Sequence, residues 1–182
     1  MSLDFTVAIP TYNGESRIPK MLERLRMQIN VEHLNWEIII IDNNSQDATA
    51  KIVLEYQSTW PISGQLKYYL ETEQGAAFAR MRAVKEANSD LVGLLDDDNL
   101  PASEWVAAAY SFGKQHPQAG AYASQIHGEF EVEPPANFER IAPFFGITER
   151  GDTATLYEPD KLKLPPGAGL VVRKQAWCAR CS

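Results

Sequence analysis

Residues 96–99 read Asp-Asp-Asp-Asn and follow directly on the apolar run Leu91-Val92-Gly93-Leu94-Leu95. A short apolar run that ends in charge reads as a buried strand delivering acids to the rim of a sheet. Three adjacent carboxylates repel one another, and a divalent cation shared with a phosphate would turn that repulsion into attraction. Strand alternation would turn Asp96 and Asp98 to one side and Asp97 to the other. That division suits a metal on one side and a polar group of a ligand on the other. The alternative is a solvated acidic turn that caps the next helix.

Three more apolar runs end in polar loops of a matching kind. Phe5 to Ile9 leads into Pro10-Thr11-Tyr12-Asn13-Gly14, and Trp36 to Ile41 into Asp42-Asn43-Asn44-Ser45. Leu66 to Leu70 leads into Glu71-Thr72-Glu73-Gln74-Gly75. In an open α/β sheet, ligands bind beyond the carboxyl ends of the strands. An aromatic ring, amides, carboxylates and helix N-termini suit a base, a ribose and phosphates in turn. Neither G-x-x-x-x-G-K-[ST] nor G-x-G-x-x-G follows the first run, which weighs against a simple NTPase or dinucleotide-binding domain.

The elements that must position these loops alternate strand and helix. Ile18, Leu22, Leu25 and Ile29 make a helix stripe from Ser16 to Gln28, with Pro19 in its first turn. Pro10 is expected to stop the first strand at Ile9. The isoleucines at 38 to 41 suit a strand covered on both faces. Asp47 is expected to cap a helix to about Gln57. Gly75 opens an alanine-rich helix to about Ala87, whose ridge Ala76, Ala79, Ala83 and Ala87 permits close packing. Pro101 is expected to start a further helix with Trp105, Ala108, Ala109 and Phe112 on one face. Strands alternating with helices imply βαβ units and a mainly parallel sheet. Residues 125–168 hold six prolines and no sustained period, with a weak strand signal at Ala119 to Ser124 before them and another strand at Gly169 to Arg173 after. Long irregular segments of this kind are commonly functional loops.

At 182 residues and 45% hydrophobic content, one domain is the expectation. Seventeen basic residues against 24 acidic ones argue against a nucleic-acid binder. No apolar run is long enough to span a bilayer and the N-terminus lacks the regions of a signal peptide. The expectation is a soluble cytoplasmic domain, with peripheral association at the inner face of a membrane left open. Cys178 and Cys181 form a lone C-x-x-C, and His33, His116 and His127 are scattered, so free thiols are expected.

Pro10-Thr11-Tyr12-Asn13, Asp42-Asn43-Asn44-Ser45, Gly75-x-x-x-Ala79-Arg80 and Asp96-Asp97-Asp98 together resemble glycosyltransferase family 2. The likeness holds in order and spacing from residue 4 to about 110, and extends more weakly to Gly167-Ala168-Gly169 and Arg173. With Gln125-Ile126-His127-Gly128 and Ala142-Pro143-Phe144, the run is similar to hormogonium polysaccharide glycosyltransferases, a bacterial exopolysaccharide subgroup. The resemblance implies a GT-A fold: a three-layer α/β domain with a mainly parallel sheet between helices. Residues 1–115 would be its nucleotide-binding half and 116–182 an incomplete acceptor-binding half. It also implies inverting, metal-dependent transfer of a hexose from a nucleotide-diphosphate donor, a UDP-sugar above all. The acceptor would be a saccharide or a lipid-linked saccharide, in cell-surface or extracellular polysaccharide synthesis.

Roles follow from the same resemblance. Pro10, Thr11, Tyr12 and Asn13 would hold the donor, with Tyr12 stacked on the base. Asn43 stands where the family often has an aspartate that reads the uracil edge; an amide both donates and accepts, a carboxylate only accepts. Gly75 and Arg80 would approach the base or diphosphate, although Met81 and Ala83 replace the asparagine and glycine common beside that arginine. Asp97 would bind ribose, and Asp98 with Asp96 the Mn²⁺ or Mg²⁺ of a DXD motif. The family's base is an acid downstream of the strand matching Gly169 to Arg173, so it is expected outside this chain. Glu129, Glu131, Glu133, Glu149 and Asp152 are carboxylates outside the family's motif. A donor-binding module without transfer activity is therefore the second expectation. A nucleotidyltransferase would carry a glycine-rich basic loop after its first strand, which Thr11 to Glu15 lacks.

Overall fold

The computed structural model describes residues 3–62, 64–149, 151, 153–157 and 165–178. Asp152, Cys181 and the side chain of Cys178 lie outside the described residues. The strands are β1 (Phe5–Thr11), β2 (Trp36–Asp42), β3 (Leu66–Leu70), β4 (Leu91–Leu94), β5 (Ala121–Ala123) and β6 (Leu170–Arg173). The helices are α1 (Ile18–Arg26), α2 (Thr49–Thr59), α3 (Ala76–Glu86), α4 (Trp105–Gln115) and the short α5 (Lys174–Cys178). The six strands form one sheet in the order β3-β2-β1-β4-β6-β5. The first four are mutually parallel, as alternating strands and helices require. β6 runs antiparallel to both β4 and β5.

Side-chain alternation divides the core into two layers. Phe5, Val7 and Ile9 of β1, with Ile38 and Ile40 of β2, face α1, α2 and α4. Ala8, Ile39 and Ile41 face the other way, onto Ala79, Ala83 and Val84 of α3. All four isoleucines of β2 are fully buried. Burying one contributes about 1.5–3 kcal/mol, which makes β2 the principal anchor of the sheet. The alanine ridge of α3 packs as anticipated, except that Ala76 is exposed at the helix start. Gly93 leaves room on β4 for Phe5 and Trp105, whose rings meet edge to face at 5.9 Å.

Two of the boundaries that differ from the sequence expectation have a direct physical reason. β1 continues through Pro10 to Thr11. Ala8 bonds toward β4, accepting from Leu95 N at 3.0 Å, and Thr11 toward β2, accepting from Asn43 N at 2.8 Å. By alternation Pro10 faces the β4 side, where pairing ends at Ala8, so its missing N–H costs no ladder bond. α4 begins at Trp105, four residues after Pro101. Gln28 supplies the reason: its Oε1 accepts from Val106 N at 2.9 Å and its Nε2 donates to Ala102 O at 2.7 Å. A side chain from the end of α1 thus caps the start of α4.

At the amino ends of the strands, buried Glu37 accepts from Thr6 Oγ1 (2.9 Å), Lys67 Nζ (2.6 Å) and Asn88 N (2.8 Å). Burial pushes the Glu37 pKa up, but these hydrogen bonds outweigh it and hold the carboxyl below its ordinary value. The network fixes the turn between α3 and β4. No helix of the described residues is long and apolar enough to cross a membrane. Between β5 and β6 the chain is irregular. An antiparallel bridge between Ile126 and Thr148 closes a flap that carries two 3₁₀ turns, Phe138–Arg140 and Ala142–Phe145.

Candidate nucleotide-binding site

The order of strand addition reverses at the parallel β1–β4 pair, with β2 and β3 laid to one side of β1 and β4 to the other, the point at which an open α/β sheet opens a crevice beyond its carboxyl edge. A cavity of about 500 Å³ lies there. Pro10, Thr11, Tyr12, Asn43, Gly75, Arg80, Asp96, Asp97 and Asp98 all line it, so the loops after all four parallel strands meet in one place. Arg17, Gln74, Ala76 and Ala79 complete the lining.

The loops after β1 and β2 are zipped together. Asn13, at φ +48°, donates its backbone N–H to Ser45 Oγ (2.9 Å) and accepts from Gln46 N through Oδ1 (2.9 Å). Its side chain is therefore committed to the neighbouring loop, and Asn13 is absent from the cavity lining, unlike its tripeptide neighbours. Gly14 donates to Thr49 Oγ1 (2.8 Å) and has no room for a Cβ against Thr11 Oγ1. Tyr12, half-exposed, lines the cavity.

Asn43 is buried, and its amide is fully engaged. Nδ2 donates to Glu73 O at 2.7 Å and more weakly to Glu71 O at 3.4 Å, while Oδ1 accepts from Gly75 N at 2.7 Å. One side chain thus folds the loop after β3 and sets Gly75, at φ +140°, at the entrance to α3. Beside it, Asp42 accepts from Tyr68 Oη (2.8 Å) and Ser45 N (2.9 Å). Burial and then this bond push the Tyr68 phenol pKa up.

β4 ends at Leu94, so the three aspartates occupy a turn, closed by Asn99 N donating to Asp96 O at 3.0 Å. They still part to different sides. Asp96 Oδ1 pairs with Arg80 Nη2 at 2.7 Å. Asp97 accepts from Thr11 Oγ1 and from Arg17, Nε to Oδ1 and Nη2 to Oδ2, both at 2.9 Å. Asp98 is exposed and accepts from Asn99 Nδ2 at 2.9 Å. The mutual repulsion expected of the run is therefore largely relieved by two arginines of the protein itself. Net negative charge is concentrated at Asp98.

Arg17 is the residue that sequence reasoning missed. It sits at the N-terminal end of α1, where the helix macrodipole disfavours a cation unless an anion faces it. That misplaced charge was the available signal. The hydrogen bonds from Arg17 to Asp97 raise the Arg17 pKa, so the guanidinium stays charged. It also donates to Tyr12 O at 3.0 Å, tying Asp97 to the β1 loop.

Among the described residues no three His, Cys, Asp or Glu side chains converge on a preformed metal cage. Mn²⁺ or Mg²⁺ held with substrate phosphates needs only one or two carboxylates, and Asp98 with Asp96 fits that requirement. A second cavity of about 390 Å³ adjoins the first and shares Asp96. It is lined by Asn99, by Ile126, Phe145, Gly146 and Thr148 of the flap, and by Pro166, Gly167 and Ala168 before β6. Glu129, Glu131, Glu133 and Glu149 are exposed and line neither cavity.

Comparison with known proteins places this geometry in context. The profile of Glycosyl transferase family 2 matches residues 6–169. The glycosyltransferase YfnE of Bacillus subtilis is 30% identical over 165 residues, 87% of this chain and 40% of that protein. The poly(ribitol-phosphate) β-N-acetylglucosaminyltransferase TarS of Staphylococcus aureus is 30% identical over 115 residues, 63% of this chain and 19% of that one. The crystal structure of TarS 1–349 with UDP superposes at a TM-score of 0.65 and 24% identity, covering 93% of this chain and 46% of that one. The mannosyltransferase PcManGT of Pyrobaculum calidifontis, in complex with GDP-Man and Mn²⁺, gives a TM-score of 0.58 at 27% identity, over 78% of this chain and 39% of that one. The chain spans less than half the length of each of these proteins. Their shared architecture is the GT-A fold anticipated from the sequence.

Proposed function

Because the chain belongs to glycosyl transferase family 2, we propose that it binds a nucleotide-diphosphate sugar in the larger cavity and transfers the sugar, with inversion, to a saccharide acceptor. We read residues 1–115 as the donor half and the remainder as a contribution to the acceptor half. The product would be a cell-surface or extracellular polysaccharide. The observation that carries this reading is the convergence of Tyr12, Arg17, Arg80 and Asp98 on one cavity. Tyr12 offers an aromatic face to a base, two guanidinium groups offer charge to a diphosphate, and the rim carries a carboxylate for a cation.

In the transfer, the bond between the anomeric carbon and the β-phosphate oxygen breaks, and its electron pair leaves with the nucleoside diphosphate. The acceptor oxygen bonds to the anomeric carbon from the opposite face and gives its proton to a base. Arg80 and Arg17 place positive charge where the leaving group gains negative charge. Asp98, with Asp96, would hold Mn²⁺ or Mg²⁺, which when bound supplies Lewis-acid stabilisation of the departing diphosphate. Thr11 and Arg17 keep Asp97 oriented at the donor side of the turn.

UDP-sugars are the favoured donors. A thermal-shift screen of uridine, guanosine and thymidine diphosphate sugars with Mn²⁺ tests the reading. A ligand at 100 times its Kd stabilises the folded state by about 2.7 kcal/mol, which raises Tm by several degrees. A shift with uridine donors, together with release of UDP on adding acceptor, is the expected outcome. No shift with any of the three nucleotides would contradict it.

A further inference from the structure

We infer that the second cavity is an acceptor subsite and that it takes a neutral saccharide, laid against Phe145, in preference to a phosphate-bearing polymer. The inference rests on the donor reading above, since the two cavities meet at Asp96. A sugar whose diphosphate lies beside Arg80 and Asp98 has its reacting carbon at that border. Whatever fills the second cavity is therefore placed to attack it.

Three independent features define the chemistry of the occupant. Phe145 is 68% exposed yet held in place, its ring 5.7 Å from that of Phe138, which in turn meets Phe130 edge to face at 5.2 Å. An exposed aromatic ring braced by its neighbours is a platform, and the weakly positive C–H bonds of a pyranose match its negative face. Thr148 Oγ1 is enclosed in the cavity wall with no hydrogen-bond partner. A buried hydroxyl left unpaired is costly, and a rotation about χ1 would offer it to a sugar hydroxyl, which both donates and accepts. The flap around the cavity is acidic: residues 125–149 carry five glutamates against one arginine, and the carboxylate at the cavity border is Asp96. That field repels polyphosphates and leaves a neutral glycan unopposed.

The test measures two bindings on the full chain. Calorimetric titration with UDP and Mn²⁺ reports the donor cavity. Saturation-transfer NMR with cellotetraose, maltotetraose and mannotetraose, against a ribitol-phosphate tetramer of equal length, reports the acceptor subsite in the presence of UDP. Expected is binding of at least one neutral tetrasaccharide, with the ribitol phosphate much weaker. Phe145→Ala should weaken that saccharide about tenfold while the UDP affinity stays within about twofold. Thr148→Val, which keeps the shape and removes the hydroxyl, should weaken it less but measurably. Absence of UDP binding in the parent protein would sink the donor reading. Intact UDP binding with no neutral saccharide bound, with ribitol phosphate preferred, or with saccharide affinity unmoved by Phe145→Ala would overturn the acceptor assignment alone.

Discussion

Arg17 grips Asp97 with two hydrogen bonds of 2.9 Å, Nε to Oδ1 and Nη2 to Oδ2, and reaches back to the carbonyl of Tyr12 at 3.0 Å. The pair joins the end of β1 to the end of β4 across the point where the strand order switches sides. It fixes the middle aspartate of the run and adds a permanent cation to the cavity wall. Bidentate arginine–carboxylate pairs are stronger and more directional than single contacts, and the Asp97 side chain is only 12% exposed.

Arg17→Gln should therefore weaken UDP binding about tenfold, the loss of one charge-assisted contact of roughly 1.4 kcal/mol. Circular dichroism should be unchanged. Combining it with Asp97→Asn in a double-mutant cycle should give a total well short of the sum of the single effects. Strict additivity would show that the two residues do not act as a pair.

Tyr12→Ala should lower nucleotide affinity by about tenfold or more through lost base stacking. Its ring is half-exposed, so unfolding free energy should move by no more than about 0.5 kcal/mol. A calorimetric titration and a urea unfolding curve separate the two effects.

Asn43→Asp replaces an amide that donates to the carbonyls of Glu71 and Glu73 with a carboxylate that repels both. Although the family often has aspartate here, in this protein the change should cost about 2 kcal/mol of stability. Nucleotide binding should weaken with it, because the loop before α3 loosens. Unchanged Tm would show that Asn43 does not organise that loop.

Glu37 sets a pH dependence far from the site. Its folded-state pKa lies below the ordinary value of 4.5, so the stability it contributes is complete above that value and is lost as pH falls through the folded pKa. Glu37→Gln leaves Lys67 unpaired and should cost about 3 kcal/mol at pH 7. The gap between parent and variant should close as urea unfolding is repeated downward toward acid pH. A gap independent of pH would contradict the role.

Much of this was legible in the sequence for a physical reason. Continuous isoleucines at 38–41 suit a strand buried on both faces, and four polar strand ends in alternation with helices suit one edge of a parallel sheet. The family resemblance was carried by those same residues. What could not be read was set by contacts distant in sequence. The start of α4 is decided by Gln28 of the α1 end, 78 residues away from the amide it caps. The passage of β1 through Pro10 depends on where β4 stops. The engagement of Asn43 by its neighbouring loop and the pairing of Asp97 with Arg17 are likewise tertiary, and they replace free polar groups by committed ones.

The central claim is that the cavity at the β1–β4 switch point binds a nucleoside diphosphate through its own residues and a cation at Asp98. Titration of UDP into the protein and into Asp98→Asn, each with Mn²⁺ and with EDTA, tests it most directly. One UDP per chain should bind, more tightly with Mn²⁺, and Asp98→Asn should abolish that difference while keeping the fold, because it removes rim charge rather than core volume. Absence of binding by the parent protein, or a Mn²⁺ enhancement retained in Asp98→Asn, would contradict it.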